Sequence, residues 1–504
     1  MGGEKQKGAD LLSSRLMFVL AGIAMCIGTG NFWRFPRIAV MYQGNFLLIY
    51  IVTLVLISVP VIITEILIGR IGRRGPGAAF KYVVGEKYHW MGNFLMVCNT
   101  GIFFYYIIIA GWVLRYFFEL TFVGIPTDTV AFWDNVSSNF ASNYGFAVIV
   151  LAITSGILLT GIRGRMEVAG AFMVGMVFIL LIILAIYANT LPGSDAGREY
   201  LWSVDLKGLL NAETWLQAMT QVCWSSGPGW GIWLTIAAYA RLREDVNTTT
   251  VSGVFGDTIG GYLAGMVVVP VLFAAIPETL EIVKIAGSGN VGVGFIAFPA
   301  CLATMPIGRV FGILFFLGMF FAALSSCLWV MEVPVRTFQD YGFSRKKAIY
   351  TVALLSLIFS LPSSYSLDFL WNQDMVWGVG LFIGTMFTCF VAIKLGIDKI
   401  GKIADRYSII KLGRFYRVAL PIALIMTVFV FIWWIIQSIS WYPESWWNPL
   451  EVYSPGTMLV QWAIILAILI GLNGYLNARA KPEYNTLSKL GVPYEEEALQ
   501  ELKG

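Results

Sequence analysis

Two short segments combine glycine with polar side chains inside apolar sequence, and this combination suits ion binding within a membrane. Residues 24–37 (AMCIGTGNFWRFPR) lie in an apolar run that begins at Leu16, and they place two glycines, an amide and a guanidinium at bilayer depth. Residues 222–231 (VCWSSGPGWG) contain a proline and three glycines, which disfavour helix. Freed backbone groups cost several kcal/mol each in hydrocarbon unless they line a cavity, so both segments predict helix breaks beside a bound ligand.

A broken helix presents two kinds of backbone group to one cavity. Its first half ends in free carbonyl groups, which attract cations, and its second half begins with free amide groups, which attract anions. A zwitterion and a sodium ion can therefore be bound side by side. Carbonyl and hydroxyl oxygens can bind sodium without a carboxylate from the protein.

The composition excludes several classes of protein. Of the 504 residues, 58% are hydrophobic and 13% are charged, whereas about a quarter are charged in soluble domains. The net charge of +4 is too small to indicate nucleic-acid binding. The six cysteines are isolated from one another, and the single histidine, His89, has no partner cluster. We interpret the chain as a multi-pass membrane protein that is not an enzyme.

We interpret twelve apolar windows as membrane spans, for which a helix needs roughly 20 residues. Lysine and arginine concentrate in alternate loops, and the positive-inside rule makes that side cytoplasmic, together with both termini. We therefore expect an all-α protein of the plasma (inner) membrane. The windows are residues 16–40, 45–70, 91–120, 145–161, 166–189, 214–240, 250–276, 307–334, 348–361, 375–396, 416–439 and 457–476.

The two predicted breaks fall in the first and sixth spans, which correspond if spans 1–5 and 6–10 form a repeat. Five is odd, so such repeats have inverted topology, and paired breaks indicate a binding site at the membrane midplane. The alternative is a pair of glycine-kinked packing helices. The expected organisation is a cytoplasmic tail (1–13), a core (14–396) with repeats at about 14–190 and 214–396, a cytoplasmic loop with helices 11 and 12 (397–478), and a cytoplasmic tail (479–504).

Residues 28–36 (GTGNFWRFP) closely resemble the first-helix signature of the neurotransmitter:sodium symporter family (solute carrier family 6), including its bacterial amino-acid transporters. The resemblance covers nearly the whole chain. It implies twelve helices of the LeuT type, with a 5+5 inverted repeat, broken helices 1 and 6, and helices 11 and 12 added. It also implies sodium-coupled uptake by alternating access. Further matching positions are residues 65–70 (EILIGR), Tyr105, Tyr106, Trp112, Gln221, 229–239, 322–326 (AALSS) and 343–348 (FSRKKA).

One sodium site is implied by the resemblance, with ligands from the first and eighth spans. The alternative for its two serines is hydrogen bonding to their own backbone or to a neighbouring helix. The implied ligands are the carbonyl groups of Ala24, Ile27 and Ala322 and the hydroxyl groups of Ser325 and Ser326.

A second sodium site would use the Cys26 carbonyl, the Asn31 side chain and Ser225, together with the substrate carboxylate. The chloride pattern of the family is kept at Tyr50, Gln221 and Ser225. The number of sodium ions, one or two, and any need for chloride stay open.

The seventh span departs from the family. An ungapped match places Gly260 where the family has an asparagine ligand, and Ala264 where it has a serine for chloride or an acid that replaces chloride. Asp257 lies three and seven residues before these positions, and hence on the same helical face. We hypothesise that Asp257 supplies the missing negative charge. The alternative is a weakened or absent second sodium site.

Gly28 indicates the substrate class. Monoamine transporters of the family carry an aspartate at the matching position, whereas amino-acid members carry glycine and let the ligand bring its own carboxylate. By resemblance, the site takes a neutral, small or hydrophobic amino acid through an apolar pocket. The implied substrate-binding residues are Met25, Cys26, Gly28, Thr29, Gly30, Ile102, Tyr106, Trp224, Ser225, Gly227, Trp230, Ser326, Cys327 and Val330.

Gates are implied on both sides of this pocket. Trp224 and Tyr106 would form a lid, with Arg34 and Asp374 as an outer ion pair. Tyr239 and Asp340 match the inner gate, whose usual arginine partner matches Ala9, so that Lys5 or Lys7 would replace it. The alternative for Asp340 and Asp374 is that they are ordinary charges at loop edges.

Other functions remain alternatives to a sodium-coupled symporter. A proton-coupled or uncoupled amino-acid transporter of the same fold is the main one, because of the seventh span and of Glu332, an acid within the membrane. A channel-like protein is the second, although no repeated filter motif is present. The expected partners are an amino acid and the lipid bilayer, without nucleic acid. The sequence leaves open which amino acid is carried and the oligomeric state.

Overall fold

The protein is built from helices joined by short turns. The computed structural model describes residues 11–241, 243–485 and 495–503, and within these ranges it contains no β-strand. The helices are α1 (Arg15–Cys26), α2 (Thr29–Phe32), α3 (Arg34–Thr53), α4 (Val59–Gly72), α5 (Pro76–Val84), α6 (His89–Phe118), α7 (Thr129–Ser138), α8 (Phe140–Leu159), α9 (Glu167–Ala188), α10 (Ser194–Trp202), α11 (Leu206–Leu209), α12 (Ala212–Ser225), α13 (Ile232–Ala238), α14 (Val246–Ala275), α15 (Thr279–Gly287), α16 (Phe298–Leu302), α17 (Gly308–Asp340), α18 (Arg345–Tyr365), α19 (Leu367–Leu395), α20 (Ile397–Arg406), α21 (Gly413–Trp441), α22 (Pro455–Gly471), α23 (Asn473–Arg479) and α24 (Glu496–Lys503).

Nine helices in the described ranges are long and apolar enough to cross a membrane, or ten if the bent pair α22 and α23, with an angle of 55°, counts as one span. Two further predicted spans, residues 16–40 and 214–240, are each divided into shorter helices. Helices α1, α2, α12 and α13 do not reach the length of a span on their own, and residues 34–40 belong to α3, which is already counted in the candidate span Arg34–Gly72. The count of twelve spans therefore stays a prediction.

The first interruption separates α1 from α2. Helix α1 ends at Cys26 because Ile27 (ψ 107°) and Gly28 (φ −129°, ψ −168°) are extended. The side-chain oxygen of Asn31 then accepts a 2.9 Å hydrogen bond from the Gly28 N–H, which satisfies one of the free amides at the start of α2. Farther along, Gln43 adopts a positive φ of 57° and kinks α3.

The second interruption lies between α12, which ends at Ser225, and α13, which begins at Ile232. Gly227, Gly229 and Gly231 have φ values of +75°, +82° and +71°. This left-handed region is accessible to glycine at little cost and strains other residues. The three glycines therefore redirect the chain where a helix would otherwise continue.

Close packing of small residues holds the interrupted helices in place. Helix α1 packs against α9, α14 and α17, while α13 packs against α4. The indole of Trp233 on α13 lies between Gly22 of α1 and Gly253 of α14, where a Cβ atom on either glycine would overlap the ring. Small residues that let helices approach closely are typical of membrane helix packing.

Candidate functional site

A cavity of about 660 Å³ lies where the two interruptions meet. Two of the expected substrate-binding residues lie behind its lining. A Cβ atom on Gly227 would come to 2.7 Å from the Met25 Cε atom, and Cys327 is fully buried. The other twelve line the cavity: Met25, Cys26, Gly28, Thr29, Gly30, Ile102, Tyr106, Trp224, Ser225, Trp230, Ser326 and Val330.

The polar end of this cavity is formed by backbone groups of α2 and by Tyr106 of α6. The Thr29 N–H donates to the Tyr106 hydroxyl at 3.3 Å. A Cβ atom on Gly28 would come to 2.9 Å from that hydroxyl oxygen and 3.3 Å from Ser326 Oγ. Residue 28 thus has no room for a side chain unless its neighbours move.

Asp257 on α14 joins both interrupted helices. Its carboxylate accepts hydrogen bonds from the Asn31 amide at 2.8 Å, from the Ser225 hydroxyl at 2.8 and 2.9 Å, and from the Tyr50 hydroxyl at 3.3 Å. Asp257 is fully buried. Three groups that the sequence assigned to sodium or chloride binding therefore converge on one carboxylate.

The other two positions of interest on α14 face elsewhere. Gly260 lies against Ile27, whose Cδ1 atom would be 3.0 Å from an added Cβ. Ala264 is fully buried. Asn31 is thus bonded to Asp257, which lies one helical turn before Gly260, the position that matches the asparagine ligand of the family.

Two serines on α17 connect that helix to the end of α1. Ser325 Oγ donates to the carbonyl oxygens of Ala24 at 2.9 Å and of Ala322 at 3.0 Å. Ser326 Oγ lies 3.0 Å from the carbonyl oxygen of Ile27. The five oxygens expected to bind one sodium ion therefore form a single group.

Arg34 and Asp374 lie along the outer part of the cavity, but the structure does not bring them to ion-pair distance. Arg34 instead donates to the side-chain oxygen of Gln221. Gln221 is thus bonded to Arg34, while the other two residues of the chloride pattern bond to Asp257. Beyond Arg34, the cavity continues to Trp441 and Tyr442.

Glu65 of α4 binds the second interruption directly. Its Oε1 atom accepts a 2.6 Å hydrogen bond from the Gly229 N–H. The Glu65 side chain is fully buried, so this bond satisfies an amide that the missing helical turn leaves free. Thr385 of α19 supports the same segment, because its hydroxyl lies 3.2 Å from the Pro228 carbonyl oxygen.

The opposite end of α1 is tied to the loop after α13. The Leu12 N–H donates to the Tyr239 carbonyl at 3.0 Å, and Arg15 lies 3.2 Å from Glu244 and 3.5 Å from Asp245. Burial raises the pKa of Asp245, but hydrogen bonds from main-chain amides outweigh it and leave this pKa below its usual range. Asp245 is therefore ionised at neutral pH, when it can pair with Arg15.

The expected inner-gate residues have buried partners. The Tyr239 hydroxyl donates to Glu332 at 2.5 Å, and Arg345 binds the same carboxylate at 2.7 and 2.9 Å. Asp340 lies 3.4 Å from Arg336, one turn earlier on α17. The expected N-terminal partners, Lys5 and Lys7, fall outside the described residues, as does Ala9, which matches the position of the usual arginine.

Comparison with known proteins agrees with this geometry. The sequence model of a protein family, described as the sodium:neurotransmitter symporter family, matches residues 10–142 and 144–480. The chain belongs to this family. Sodium:neurotransmitter symporters are transporters and not enzymes, so the chain is a multi-pass membrane transporter whose activity depends on sodium.

Relatives of this symporter extend along most of its length. An uncharacterized sodium-dependent transporter of Methanocaldococcus jannaschii is 32% identical over an alignment of 447 positions, gaps included, that covers 83% of this chain and 89% of the relative. The sodium-dependent serotonin transporter of Drosophila melanogaster is 26% identical over an alignment of 519 positions, gaps included, that covers 91% of this chain and 81% of that transporter. The crystal structure of MhsT in complex with L-phenylalanine matches with a TM-score of 0.74 and 26% identity, over 84% of this chain and 99% of MhsT.

One wall of the symporter's cavity was not predicted from the sequence. Trp371, Met375 and Val379 of α19 line the cavity beside Asp374. Their spacing of four residues marks one helical face and could have been recognised. Aromatic residues from the end of α21 onward also contribute to the outer part: Trp441, Tyr442 and Tyr453.

Proposed function

We propose that this protein is a sodium-coupled symporter that imports a neutral, hydrophobic amino acid by alternating access. The observation that carries this proposal is the single cavity shared by both helix interruptions. Free carbonyl and amide groups at such interruptions favour a cation and an anion next to each other. An amino acid bound together with sodium supplies both charges.

The absence of a side chain at Gly28 supports an amino acid rather than a monoamine. The substrate carboxylate would bind the amides near Thr29 and Gly30 and the Tyr106 hydroxyl. The substrate ammonium would bind carbonyl groups at Cys26, Trp224 and Ser225. A related transporter, MhsT, has been crystallised with L-phenylalanine, which makes that amino acid a suitable first probe.

Apolar residues around the rest of the cavity support a hydrophobic substrate side chain. Trp224 and Trp230 form an edge-to-face pair with ring centroids 6.0 Å apart. A charged substrate side chain would lose its hydration against such a surface without gaining a partner. The apolar residues in question are Met25, Ile102, Trp224, Trp230 and Val330.

The group of five oxygens between α1 and α17 supports one sodium site. In the structure, the hydroxyl of Ser325 donates to the carbonyl of Ala24, and that of Ser326 donates to the carbonyl of Ile27. A sodium ion bound there would turn the hydroxyl lone pairs inward and replace these hydrogen bonds. The Ala322 carbonyl would complete the set.

Asp257 is the proposed source of negative charge for a second sodium ion. Tyr50 and Ser225, which belong to the chloride pattern, both donate to its carboxylate. A carboxylate that already accepts these donors leaves no need for chloride. Asn31 and the Cys26 carbonyl would complete this site with the substrate carboxylate.

The proposed architecture has twelve spans in the plasma membrane, with both termini in the cytoplasm. The nine or ten candidate spans plus the two interrupted ones are consistent with this number. The inverted repeats would be residues 14–190 and 214–396, followed by helices 11 and 12 within 397–478. The tails would be residues 1–13 and 479–504.

The arrangement supports a state that is open to the outside. The cavity reaches Trp441 past Arg34, while the other end of α1 is held by Leu12 and Arg15. Closure would move Trp224 and Tyr106 over the substrate and transfer Arg34 from Gln221 to Asp374. Inward opening would then break the contacts at the cytoplasmic end of α1.

Uptake by proteoliposomes tests the proposed function. Radiolabelled L-phenylalanine and a panel of neutral amino acids would be offered with an inward sodium gradient, with potassium instead of sodium, and with gluconate instead of chloride. We expect accumulation that requires sodium but not chloride. Accumulation driven by a proton gradient without sodium would instead support the proton-coupled alternative, and an ionic conductance without accumulation would support a channel.

A further inference from the structure

Trp224 of the proposed lid fits into a notch on α19. At Gly378, an added Cβ atom would overlap the Cζ2 atom of the Trp224 indole and come to 2.5 Å from Cη2 and 3.0 Å from Cε2. These three atoms belong to the six-membered ring of the indole. The ring therefore occupies the space that any other residue at position 378 would fill.

Helix α19 contacts the segment between α12 and α13 at two places, before and within the interruption. Gly378 meets Trp224, just before the interruption. About two turns later on α19, the Thr385 hydroxyl lies near the Pro228 carbonyl, and an added Cβ atom on Gly384 would overlap the Gly229 carbonyl oxygen. A single rigid helix thus determines where the interrupted segment and its tryptophan lie.

The same helix also carries the proposed outer gate. Asp374 lies four residues before Gly378, so both are on one face of α19, and Met375 and Val379 line the cavity next to them. Trp377 on this helix fits against Gly101 of α6, where an added Cβ atom would come to 2.6 Å from the ring. Helix α19 is therefore fixed against α6, which limits its ability to retreat from a larger residue 378.

We infer that Gly378 is a positioning residue for the lid: it admits the indole of Trp224 and so keeps that ring at the wall of the substrate pocket, outside the space that the substrate would fill. Because α19 is fixed, an alanine at 378 would displace the indole rather than the helix. The open space available to the ring is the cavity, where Trp230 already packs against it at 6.0 Å. A tryptophan lid thus requires glycine at 378, whereas a shorter aromatic ring does not. This inference rests on the proposed function of the cavity.

The test is a set of four variants: Gly378→Ala, Trp224→Phe, the double variant, and Gly156→Ala. Gly156 is an exposed glycine on α8 with no atom within 4 Å of an added Cβ, so it controls for adding a methyl group to a membrane helix. Uptake of L-phenylalanine by proteoliposomes gives KM and maximal rate for each. Thermal unfolding in detergent without amino acid gives the stability of the same four proteins.

We expect Gly378→Ala to raise KM about tenfold or more, in line with the cost of small misplacements at binding sites. The KM of the double variant should lie within about threefold of the KM of Trp224→Phe alone, because the shorter ring no longer meets the new methyl group. Gly156→Ala should match the wild type. If Gly378→Ala raises KM equally in the wild-type background and in the Trp224→Phe background, the inference is overturned.

The unfolding measurement separates this inference from the proposed function. If the wild type takes up no L-phenylalanine, the proposed substrate is wrong, and the melting temperatures then test the contact between Gly378 and Trp224. A loss of melting temperature on Gly378→Ala that disappears in the Trp224→Phe background supports the inference. The same loss in both backgrounds contradicts it, and this comparison holds even if the single variant is too unstable to transport.

Discussion

The side-chain amide of Asn31 on α2 donates a 2.8 Å hydrogen bond to the carboxylate of Asp257 on α14. Ser225, the last residue of α12, donates to the same carboxylate. One buried acid therefore connects the two interrupted helices to a helix that is not interrupted. Loss of its charge should affect ion binding more than the fold, because each of its partners can still form hydrogen bonds with a neutral amide.

The variant Asp257→Asn tests whether this carboxylate replaces chloride. We expect uptake in gluconate to fall at least about tenfold, and chloride to restore part of it by binding where the carboxylate charge was lost. The measurement is initial uptake at several sodium and chloride concentrations. Asp195→Asn, at an exposed acid, serves as the control and should behave as the wild type. Unchanged sodium and chloride dependence in Asp257→Asn would show that this charge does not take part in coupling.

The variant Gly28→Asp tests the proposed orientation of the substrate. A new carboxylate beside the Tyr106 hydroxyl would face the substrate carboxylate at low dielectric, at a cost of several kcal/mol. We expect amino-acid uptake to be abolished. Gly28→Asn is the matched control, because it adds a side chain of the same size at the same position without the negative charge. Uptake retained by Gly28→Asp would mean that the substrate carboxylate binds elsewhere.

The variant Ser325→Ala tests the sodium site between α1 and α17. Removing one of five oxygens should raise the sodium concentration for half-maximal uptake about tenfold, which corresponds to about 1.4 kcal/mol. Ser356→Ala on α18 is the control, because that buried hydroxyl bonds to the carbonyl one turn earlier on its own helix. If both variants keep the sodium dependence of the wild type, Ser325 and Ser326 serve helix packing through hydrogen bonds to the backbone, which is the alternative stated from the sequence.

The interruptions could be predicted from the sequence because proline and glycine act locally. Gly227, Gly229 and Gly231 have left-handed backbone conformations that their residue type makes accessible. Twelve of the fourteen residues that the family resemblance names line the cavity, and their role in substrate binding stays a prediction. Side-chain partners were harder to predict, because they depend on which turn of one helix faces another.

Arg34 illustrates this limit, whereas helical spacing had already drawn attention to Asp257. The ungapped match gave Gly260 as the counterpart of an asparagine ligand, and Asp257, one turn earlier on the same face, is the residue that meets Asn31. Arg34 was expected to pair with Asp374, yet it donates to Gln221. Charge complementarity identifies possible partners, whereas the rotamer that an arginine adopts depends on the conformational state of the transporter.

The buried contact between Glu332 and Arg345 leads to a final prediction, about stability and proton coupling. Glu332 also accepts a hydrogen bond from Tyr239, and its side chain is fully buried. Removing one member of a buried pair leaves an uncompensated charge, at a cost of about 3–5 kcal/mol, whereas neutralising both costs much less. We expect Arg345→Gln to lower the melting temperature in detergent markedly, and the double variant with Glu332→Gln to recover most of the loss.

Uptake by the same double variant addresses the proton-coupled alternative. If Glu332 serves to bind Arg345 and Tyr239, accumulation should still follow the sodium gradient and should not respond to a proton gradient. Arg198→Gln, which removes an exposed partner of Asp195, is the control and should leave both stability and uptake unchanged. A double variant that is stable but can no longer accumulate substrate would instead indicate that the Glu332 proton takes part in transport.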